Sequence, residues 1–148
     1  VNYLRTLDDS VKIKSSIEIS RDIVLLGAGY ISLEIASTIK KNYPNKEVTI
    51  IDNSEKILLR NSNDDLREFI LKYQKKNNVN FLLNTSFQKL IRNEDGSIKN
   101  LMLSFKDALS QNKFTSCVTL NAEIFVFAQQ SDLLKSNVRT EYGKMIGK

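Results

Sequence analysis

The sequence contains no histidine and no tryptophan, and it has a single cysteine, Cys117. Without histidine, zinc sites of the usual Cys/His kind and histidine-based catalytic triads are excluded from this stretch of chain. One cysteine cannot form a CxxC redox pair. Cys117 lies in an apolar, strand-like run, which favours a small core residue over a reactive thiol. We therefore predict no catalytic residue and no metal site here.

Long runs of like charge and long apolar runs are also missing. The net charge is +5, but acids and bases alternate along the chain, which indicates solvated faces rather than a nucleic-acid surface. Exposed aromatic residues interleaved with basic ones, as base-stacking modules need, are not evident either. No apolar run reaches the length of a membrane-spanning helix, and no signal-peptide pattern opens the chain. We therefore predict neither a nucleic-acid partner nor membrane insertion.

The overall composition is that of an ordinary globular domain. Apolar residues make up 41% and charged residues 26% of 148 residues, which suits one domain over residues 1–148. The chain begins at Val1 rather than Met, so we expect a segment of a longer protein. The expected compartment is the cytoplasm, or an organelle if the parent carries a targeting segment.

The most informative stretch is residues 22–41, which predicts a buried strand, a glycine turn and a helix. Residues 23–26 form a continuous apolar run, as in parallel strands that are covered on both faces. Gly27, Ala28 and Gly29 form the turn, and the helix begins near Tyr30. Its apolar stripe recurs every four residues, at Ile31, Ile35 and Ile39.

The turn fits a dinucleotide fingerprint in which glycines recur as G-x-G-x-x-G/A. Gly27 permits the tight turn, Gly29 lets the backbone approach a phosphate, and Ser32 occupies the third position. Serine is small but adds a hydroxymethyl group, so looser packing is expected. Residues 47–52 predict a second strand that ends in Asp52, about 20 residues after Ser32, where an acid typically binds a ribose hydroxyl. The alternative is another βαβ unit in which Asp52 is a solvated strand end.

The remaining elements indicate a change from helical to antiparallel connections. A helix running toward Ile17 is predicted to be capped by Asp8 or Asp9. Ser62 or Asn63 is expected to cap a helix with acids in its first turn and lysines near its end. Its predicted apolar stripe consists of Leu66, Phe69, Ile70 and Tyr73.

Residues 79–83 predict a third parallel strand. Antiparallel strands then follow at residues 87–92, 98–105 and 114–120, the first two joined by a hairpin signal at residues 94–97. Residues 122–128 predict a buried strand that rejoins the parallel sheet. The predicted fold is therefore an α/β, three-layer, Rossmann-like dinucleotide-binding domain, in which a three-stranded β-meander replaces one crossover helix.

These sequence motifs, in this order, resemble the NAD-binding domain of the FAD-dependent pyridine nucleotide–disulfide oxidoreductase superfamily. The most similar group within it contains the ferredoxin and rubredoxin reductases, the monodehydroascorbate reductases and the apoptosis-inducing-factor-like proteins. The opening VNYLRTLDDS, the phrase GAGYISLEIA, VTIID followed by KILLR, and NAEIFVFA carry the resemblance. It implies an NAD(H) site here and FAD in the parent protein, bound by a domain of the same parent chain and not by this segment. The electron acceptor is unknown.

The resemblance also assigns residues. Gly27 and Gly29 match the phosphate-turn glycines, and Asp52 matches the acid that binds the adenosine ribose. Glu34 matches a glutamate near the nicotinamide, and Tyr30 an aromatic that covers the flavin in some members. Packing is the alternative for Tyr30, and a favourable position in the helix dipole is the alternative for Glu34. The predicted cofactor-binding residues are Gly27, Ala28, Gly29, Tyr30, Ile31, Glu34, Asp52, Asn53 and Gln129.

We expect NAD(H) rather than NADP(H), because a 2′-phosphate beside the Asp52 carboxylate would be repelled and no arginine follows before Arg60. Lys56 is the base that would compensate that repulsion. The sequence departs from the family at Ser32 and at Gln129, where the family has a G-x-x-P-N phrase. Without a second glycine fingerprint, the segment is expected to bind cofactor and catalyse nothing by itself.

Two alternatives stay open at this point. One is a non-catalytic nucleotide-sensing module, which should continue with helical crossovers instead of antiparallel strands. The other is a degenerate Rossmann module that keeps the fold for protein contacts, which the two departures favour.

Overall fold

The computed structural model describes residues 2–3, 6–59, 63–106 and 114–127. The elements in chain order are β1 (Asn2–Tyr3), α1 (Leu7–Ile19), β2 (Asp22–Leu26), α2 (Tyr30–Asn42), β3 (Glu47–Ile51), α3 (Asp64–Lys76), β4 (Val79–Leu82), β5 (Thr85–Arg92), β6 (Ile98–Lys106), β7 (Phe114–Asn121) and β8 (Ile124–Phe127). The predicted strand and helix types are confirmed, with ends that differ by one or two residues. Residue 128, the predicted last residue of the final strand, lies outside the described residues.

Two sheets make up the β structure. Strands β1-β8-β2-β3-β4 form a parallel sheet in that order, and β5-β6-β7 form an antiparallel meander. In the parallel sheet Leu25 is in register with Ile50 on one side and with Val126 on the other. The last described strand therefore rejoins the parallel sheet, and the predicted α/β fold with a meander in place of one crossover helix is confirmed.

The core has two halves, one on each face of the parallel sheet. Side chains alternate between the faces of a strand, so Ile23 and Leu25 of β2 pack with Leu33 and Ala36 of α2. Val24, between them in sequence, packs on the other face in a cluster that includes residues of the meander. Helices, sheet and meander therefore form the three layers that the sequence predicts.

The N-terminus of α1 differs from the prediction. The N-cap is Thr6, not Asp8 or Asp9. The Thr6 hydroxyl accepts a hydrogen bond from the Asp9 N–H at 3.2 Å, and the Asp9 carboxylate accepts one from the Thr6 N–H at 3.0 Å. This reciprocal pair is a capping box with aspartate at the position usually held by glutamate or glutamine. The prediction was wrong because it placed the acid at the cap rather than three residues inside the helix.

Helix α3 confirms one prediction and contradicts another. Asn63 is its N-cap and accepts from the Leu66 N–H at 2.9 Å, while residue 62 lies outside the described residues. The predicted apolar stripe is wrong, because Leu66, Phe69 and Tyr73 are 43%, 68% and 55% exposed. Only Ile70 of that set is half-buried, and it packs against the helical half of the core.

The buried polar residue of α3 is Gln74, which lies one turn beyond Ile70 and is 3% exposed. Its side-chain amide donates to the Leu33 carbonyl at 3.0 Å and to the Ser37 hydroxyl at 2.7 Å. Helix α3 is therefore joined to α2 by a buried hydrogen-bonded amide and not by a wide apolar face.

Cys117 lies within β7, as its apolar run predicts, but its side chain is outside the described part of the chain. The prediction that it is a core residue stays a prediction.

Candidate functional site

The turn between β2 and α2 is fixed by a glycine conformation and by hydrogen bonds to the next strand. Gly27 has φ 97°, in a region that L side chains rarely adopt, so this position requires glycine. Its N–H donates to the Ile51 carbonyl at 2.8 Å. The Ala28 side chain is 2% exposed and belongs to the core. The turn thus lies at the carboxyl ends of β2 and β3, the edge at which open α/β sheets bind ligands.

Helix α2 begins directly at this turn, with Tyr30 as its first residue. Its N-cap is Gly29, which makes no side-chain cap hydrogen bond. A Cβ placed on Gly29 would meet no heavy atom within 4 Å. Backbone donors at a helix N-terminus and the positive end of its dipole favour an anion. The helix therefore presents its positive end beside open space.

Asp52 follows β3 and its carboxylate reaches the turn. Its Oδ2 accepts from the Ala28 N–H at 2.6 Å, and its Oδ1 accepts from the Ser54 N–H at 2.7 Å. The residue is 9% exposed, so two backbone donors compensate the burial of its charge. An ionised carboxylate has about four acceptor positions, so each oxygen retains capacity for a further donor.

The connection after β3 holds the turn from its other side. The Leu58 N–H donates to the Ala28 carbonyl at 2.9 Å. The side chains of Ile57 and Leu58 are 1% and 5% exposed and pack into the helical half of the core. Both backbone polar groups of Ala28 are therefore bonded, the N–H to Asp52 and the carbonyl to Leu58, so the N–H is not available to a ligand.

Lys56, the base nearest to Asp52 in this connection, is paired with a helix residue. Its Nζ lies 3.0 Å from Oδ1 of Asp64, which also accepts from Arg67 at 2.7 Å. The hydrogen bond from Lys56, followed by that from Arg67, holds the pKa of Asp64 below its usual value. Lys56 is thus held at the start of α3 by an ion pair.

The other predicted cofactor-binding residues take varied positions. Tyr30 is 46% exposed at the first position of α2. Ile31 is half-buried, and Glu34 and Asn53 are exposed. Gln129 lies outside the described residues. The structure therefore brings Gly27, Ala28, Gly29 and Asp52 together, and the cofactor contacts assigned to all nine residues stay predictions.

Ser32, which holds the third position of the glycine fingerprint, is completely buried against the sheet side of α2. Its hydroxyl has no hydrogen-bond partner among the described residues, and neither has the side-chain oxygen of Gln74. Sequence reasoning identified Ser32 as a departure but missed Gln74. The available signal was spacing, because Gln74 follows the half-buried Ile70 by one helical turn.

The described part of the chain contains neither a metal-binding cluster nor a membrane-spanning helix. It holds no group of three or more His, Cys, Asp or Glu residues arranged to bind a metal ion. None of its helices is both long enough and apolar enough to cross a membrane.

Comparison with known proteins identifies the family. The profile of the pyridine nucleotide-disulphide oxidoreductases matches residues 1–129, and the chain belongs to this family. The ferredoxin–NAD(+) reductase component of the p-cumate 2,3-dioxygenase system of Pseudomonas putida is 25% identical over 100 residues, which are 67% of this chain and 24% of that protein. Monodehydroascorbate reductase 3 of Arabidopsis thaliana is 23% identical over 142 residues, 94% of this chain and 32% of the relative.

Solved structures support the same fold. The ferredoxin reductase for the CYP199A2 system from Rhodopseudomonas palustris superposes with a TM-score of 0.71 at 20% identity, over 86% of this chain and 28% of that chain. The chain spans about a quarter to a third of the length of these relatives. The resemblance predicted from the sequence is therefore confirmed at the level of the family and the fold.

Proposed function

We propose that this chain is the NAD(H)-binding domain, over residues 1–148, of a FAD-dependent oxidoreductase. The observation that carries the proposal is the N-terminus of α2, whose N-cap is Gly29, with open space where a Cβ of Gly29 would lie. A diphosphate placed there would accept hydrogen bonds from the first N–H groups of the helix and would lie at the positive end of its dipole.

Asp52 supports the proposal because it lies at the same turn. It is held by the N–H groups of Ala28 and Ser54, and its remaining lone pairs would accept the hydroxyls of an adenosine ribose. In this role the carboxylate is already oriented before ligand arrives, so little side-chain entropy is lost on binding.

The same geometry favours NADH over NADPH. A 2′-phosphate would lie close to a buried carboxylate, and like charges repel strongly where water is excluded. The neighbouring cation, Lys56, is paired with Asp64 and would have to leave that ion pair to compensate. We therefore propose a preference for NADH.

The chemistry belongs to the parent protein. FAD, held by another domain of the parent chain, would supply hydride acceptance from the nicotinamide. This segment would hold and orient the nucleotide, with Tyr30, Ile31, Glu34, Asn53 and Gln129 completing the site, and would be inactive alone. The P. putida relative is named as a ferredoxin–NAD(+) reductase component, which supports a ferredoxin-type acceptor. We also propose a cytoplasmic parent, or an organellar one if the parent carries a targeting segment.

Of the two alternatives, the antiparallel meander disfavours the nucleotide-sensing module, which should continue with helical crossovers. The buried, unpartnered hydroxyl of Ser32 favours the degenerate module, because it falls at a fingerprint position. A titration with NADH, described next, distinguishes the degenerate module from the proposed NAD(H)-binding domain.

Calorimetric titration with NADH and NADPH, on the wild-type chain and on Gly29→Ala, tests the proposal. Gly29 has φ −89° and ψ −178°, which alanine adopts readily, and its Cβ would meet no atom. The melting temperature should therefore not change. The added methyl group would occupy the space of the diphosphate, so NADH affinity should fall at least about tenfold.

Wild-type chain that is folded but binds no NADH, or that binds NADPH more tightly, would contradict the proposal and favour the degenerate module. Asp52 is the poorer test residue, because its substitution would also remove the bond that holds Ala28.

A further inference from the structure

A cavity lies at the opposite end of the strands from the glycine turn. It has a volume of about 370 Å³ and is lined by the first residues of β2 and β3, by Asn80 of β4, and by Thr119 and Leu120 of β7. The glycine turn follows Leu26, at the far end of β2. The volume is within the range of small-molecule sites. The nucleotide site proposed above lies at the other edge of the sheet and does not use this cavity.

The lining combines acids and neutral polar residues with three apolar ones. Asp22 and Glu47 supply two carboxylates, Thr49 and Thr119 supply hydroxyls, and Asn80 supplies an amide. The apolar part consists of Ile23, Val24 and Leu120. No lysine or arginine is among the described lining residues, so the cavity suits a ligand that is a cation and a hydrogen-bond donor.

The two carboxylates are direct neighbours. Asp22 is in register with Glu47 across the parallel pair β2–β3. Like charges that face each other across two strands destabilise a sheet. Neither carboxylate forms an ion pair or side-chain hydrogen bond within the described part of the chain. The nearby Lys46 donates to the carbonyls of Glu18 and Ser20 instead, at 3.0 and 2.5 Å.

Thr49 provides an independent observation. It lies two residues beyond Glu47 on the same face of β3, and its side chain lines the cavity although the residue is only 9% exposed. Its hydroxyl makes no hydrogen bond to a described residue. The hydroxyl is therefore available to accept a hydrogen bond from a ligand donor in the cavity.

We propose that this cavity binds a small aliphatic organic cation through a primary ammonium group. The three N–H donors of an ammonium match the Asp22 and Glu47 carboxylates and the Thr49 hydroxyl. The attached methylene groups would pack on Val24 and Leu120. A bare metal ion fits less well, because the cavity is far larger than an ion and the described residues provide no cluster of three metal-binding side chains.

The test is a titration of the ¹⁵N-labelled 148-residue chain with 1,4-diaminobutane at constant ionic strength, followed by NMR, with 1,4-butanediol as the uncharged control. The diamine should shift the amides of residues 22–24, 47–49 and 80. The diol should not. NADH, titrated separately, should shift the amides of residues 27–32 at the other edge, so the two sites are distinguished whatever happens at either one.

Three variants locate the site. Glu47→Gln and Asp22→Asn should each weaken diamine binding about threefold, which is the loss of affinity expected when one partly exposed charge pair is removed. Thr49→Val should weaken it with little change in stability, because the hydroxyl makes no hydrogen bond to a described residue and valine keeps the branched shape of the side chain. Glu94→Gln, on the exposed hairpin between β5 and β6, removes the same charge elsewhere and should leave binding unchanged.

If Glu94→Gln weakened diamine binding as much as Glu47→Gln and Asp22→Asn do, the proposed site would be overturned. The diamine would then be attracted to negative charge anywhere on the chain. Shifts that are absent at residues 22–24 and 47–49 would overturn it too. Tighter binding of calcium chloride than of the diamine at the same residues would overturn the assignment to an organic ammonium.

Discussion

Two buried polar side chains near the glycine turn differ in whether hydrogen bonds compensate their burial. Asp52 is 9% exposed and its carboxylate has two backbone donors. Ser32 is fully buried and its hydroxyl has no described partner. An uncompensated buried hydroxyl destabilises the fold, whereas a carboxylate with charge-assisted hydrogen bonds does so much less. Ser32 is therefore a position at which the sequence does not maximise stability.

Replacing Ser32 by alanine should stabilise the chain. Because the hydroxyl loses hydration without gaining a partner, Ser32→Ala should raise the free energy of unfolding by about 1 kcal/mol. Urea denaturation followed by circular dichroism measures the change. Ser104 is the matched control, since it is 3% exposed but accepts from the Gln88 side-chain amide at 2.6 Å. Ser104→Ala should lower stability, and a loss of stability in both variants would contradict the interpretation of Ser32.

The residues of the turn were predictable because their signal is local. Gly27, Gly29 and Asp52 follow a characteristic spacing, in which the glycines mark backbone positions without a side chain and the acid marks the end of the second strand. The bond from the Ala28 N–H to Asp52 was not predictable, because it depends on the direction of one amide. Nor was the pairing of Lys56 with Asp64, which depends on how the connection after β3 folds back onto α3.

Among the elements, α1 provides the clearest test of a local rule. The capping box at its start is formed by Thr6 and Asp9. Thr6→Ala removes the acceptor for the Asp9 N–H and should lower the free energy of unfolding by about 1 kcal/mol. Asp8→Asn, which changes a first-turn acid outside the box, should have a smaller effect. Thermal unfolding of the two variants compares them, and equal destabilisation would mean that the box adds nothing beyond the helix dipole.

Helices α2 and α3 show why an apolar pattern does not by itself give burial. In α2 the core residues are Leu33, Ala36 and Ile39, so only Ile39 of the predicted stripe is fully buried. In α3, Phe69 is 68% exposed while Gln74 is buried. Burial there is decided by which face meets α2, and the partner helix supplies acceptors, the Leu33 carbonyl and the Ser37 hydroxyl, that make an amide acceptable in the core. A single-helix pattern contains no information about those acceptors.

On the scale of the whole molecule, the order of helices and strands was predictable from the sequence. The cavity at the amino ends of β2 and β3 was not. Strand, turn, helix and hairpin signals extend over a few neighbouring residues, so each can be recognised alone. The cavity combines residues of β2, β3, β4 and β7, from Asp22 to Leu120. Their proximity follows from strand order and register, which depend on contacts between distant parts of the chain.

The position of β8 has a consequence for synthesis on the ribosome. β8 is the last described strand to be made, yet it lies between β1 and β2 in the parallel sheet. Until residue 127 has emerged, one edge of β2 lacks its partner, and an open apolar edge promotes aggregation. A nascent chain released after residue 121 should therefore accumulate as insoluble protein, whereas the complete chain should be recovered in the supernatant. Equal recovery would show that the parallel sheet can form without β8, and that its folding need not wait for residue 127.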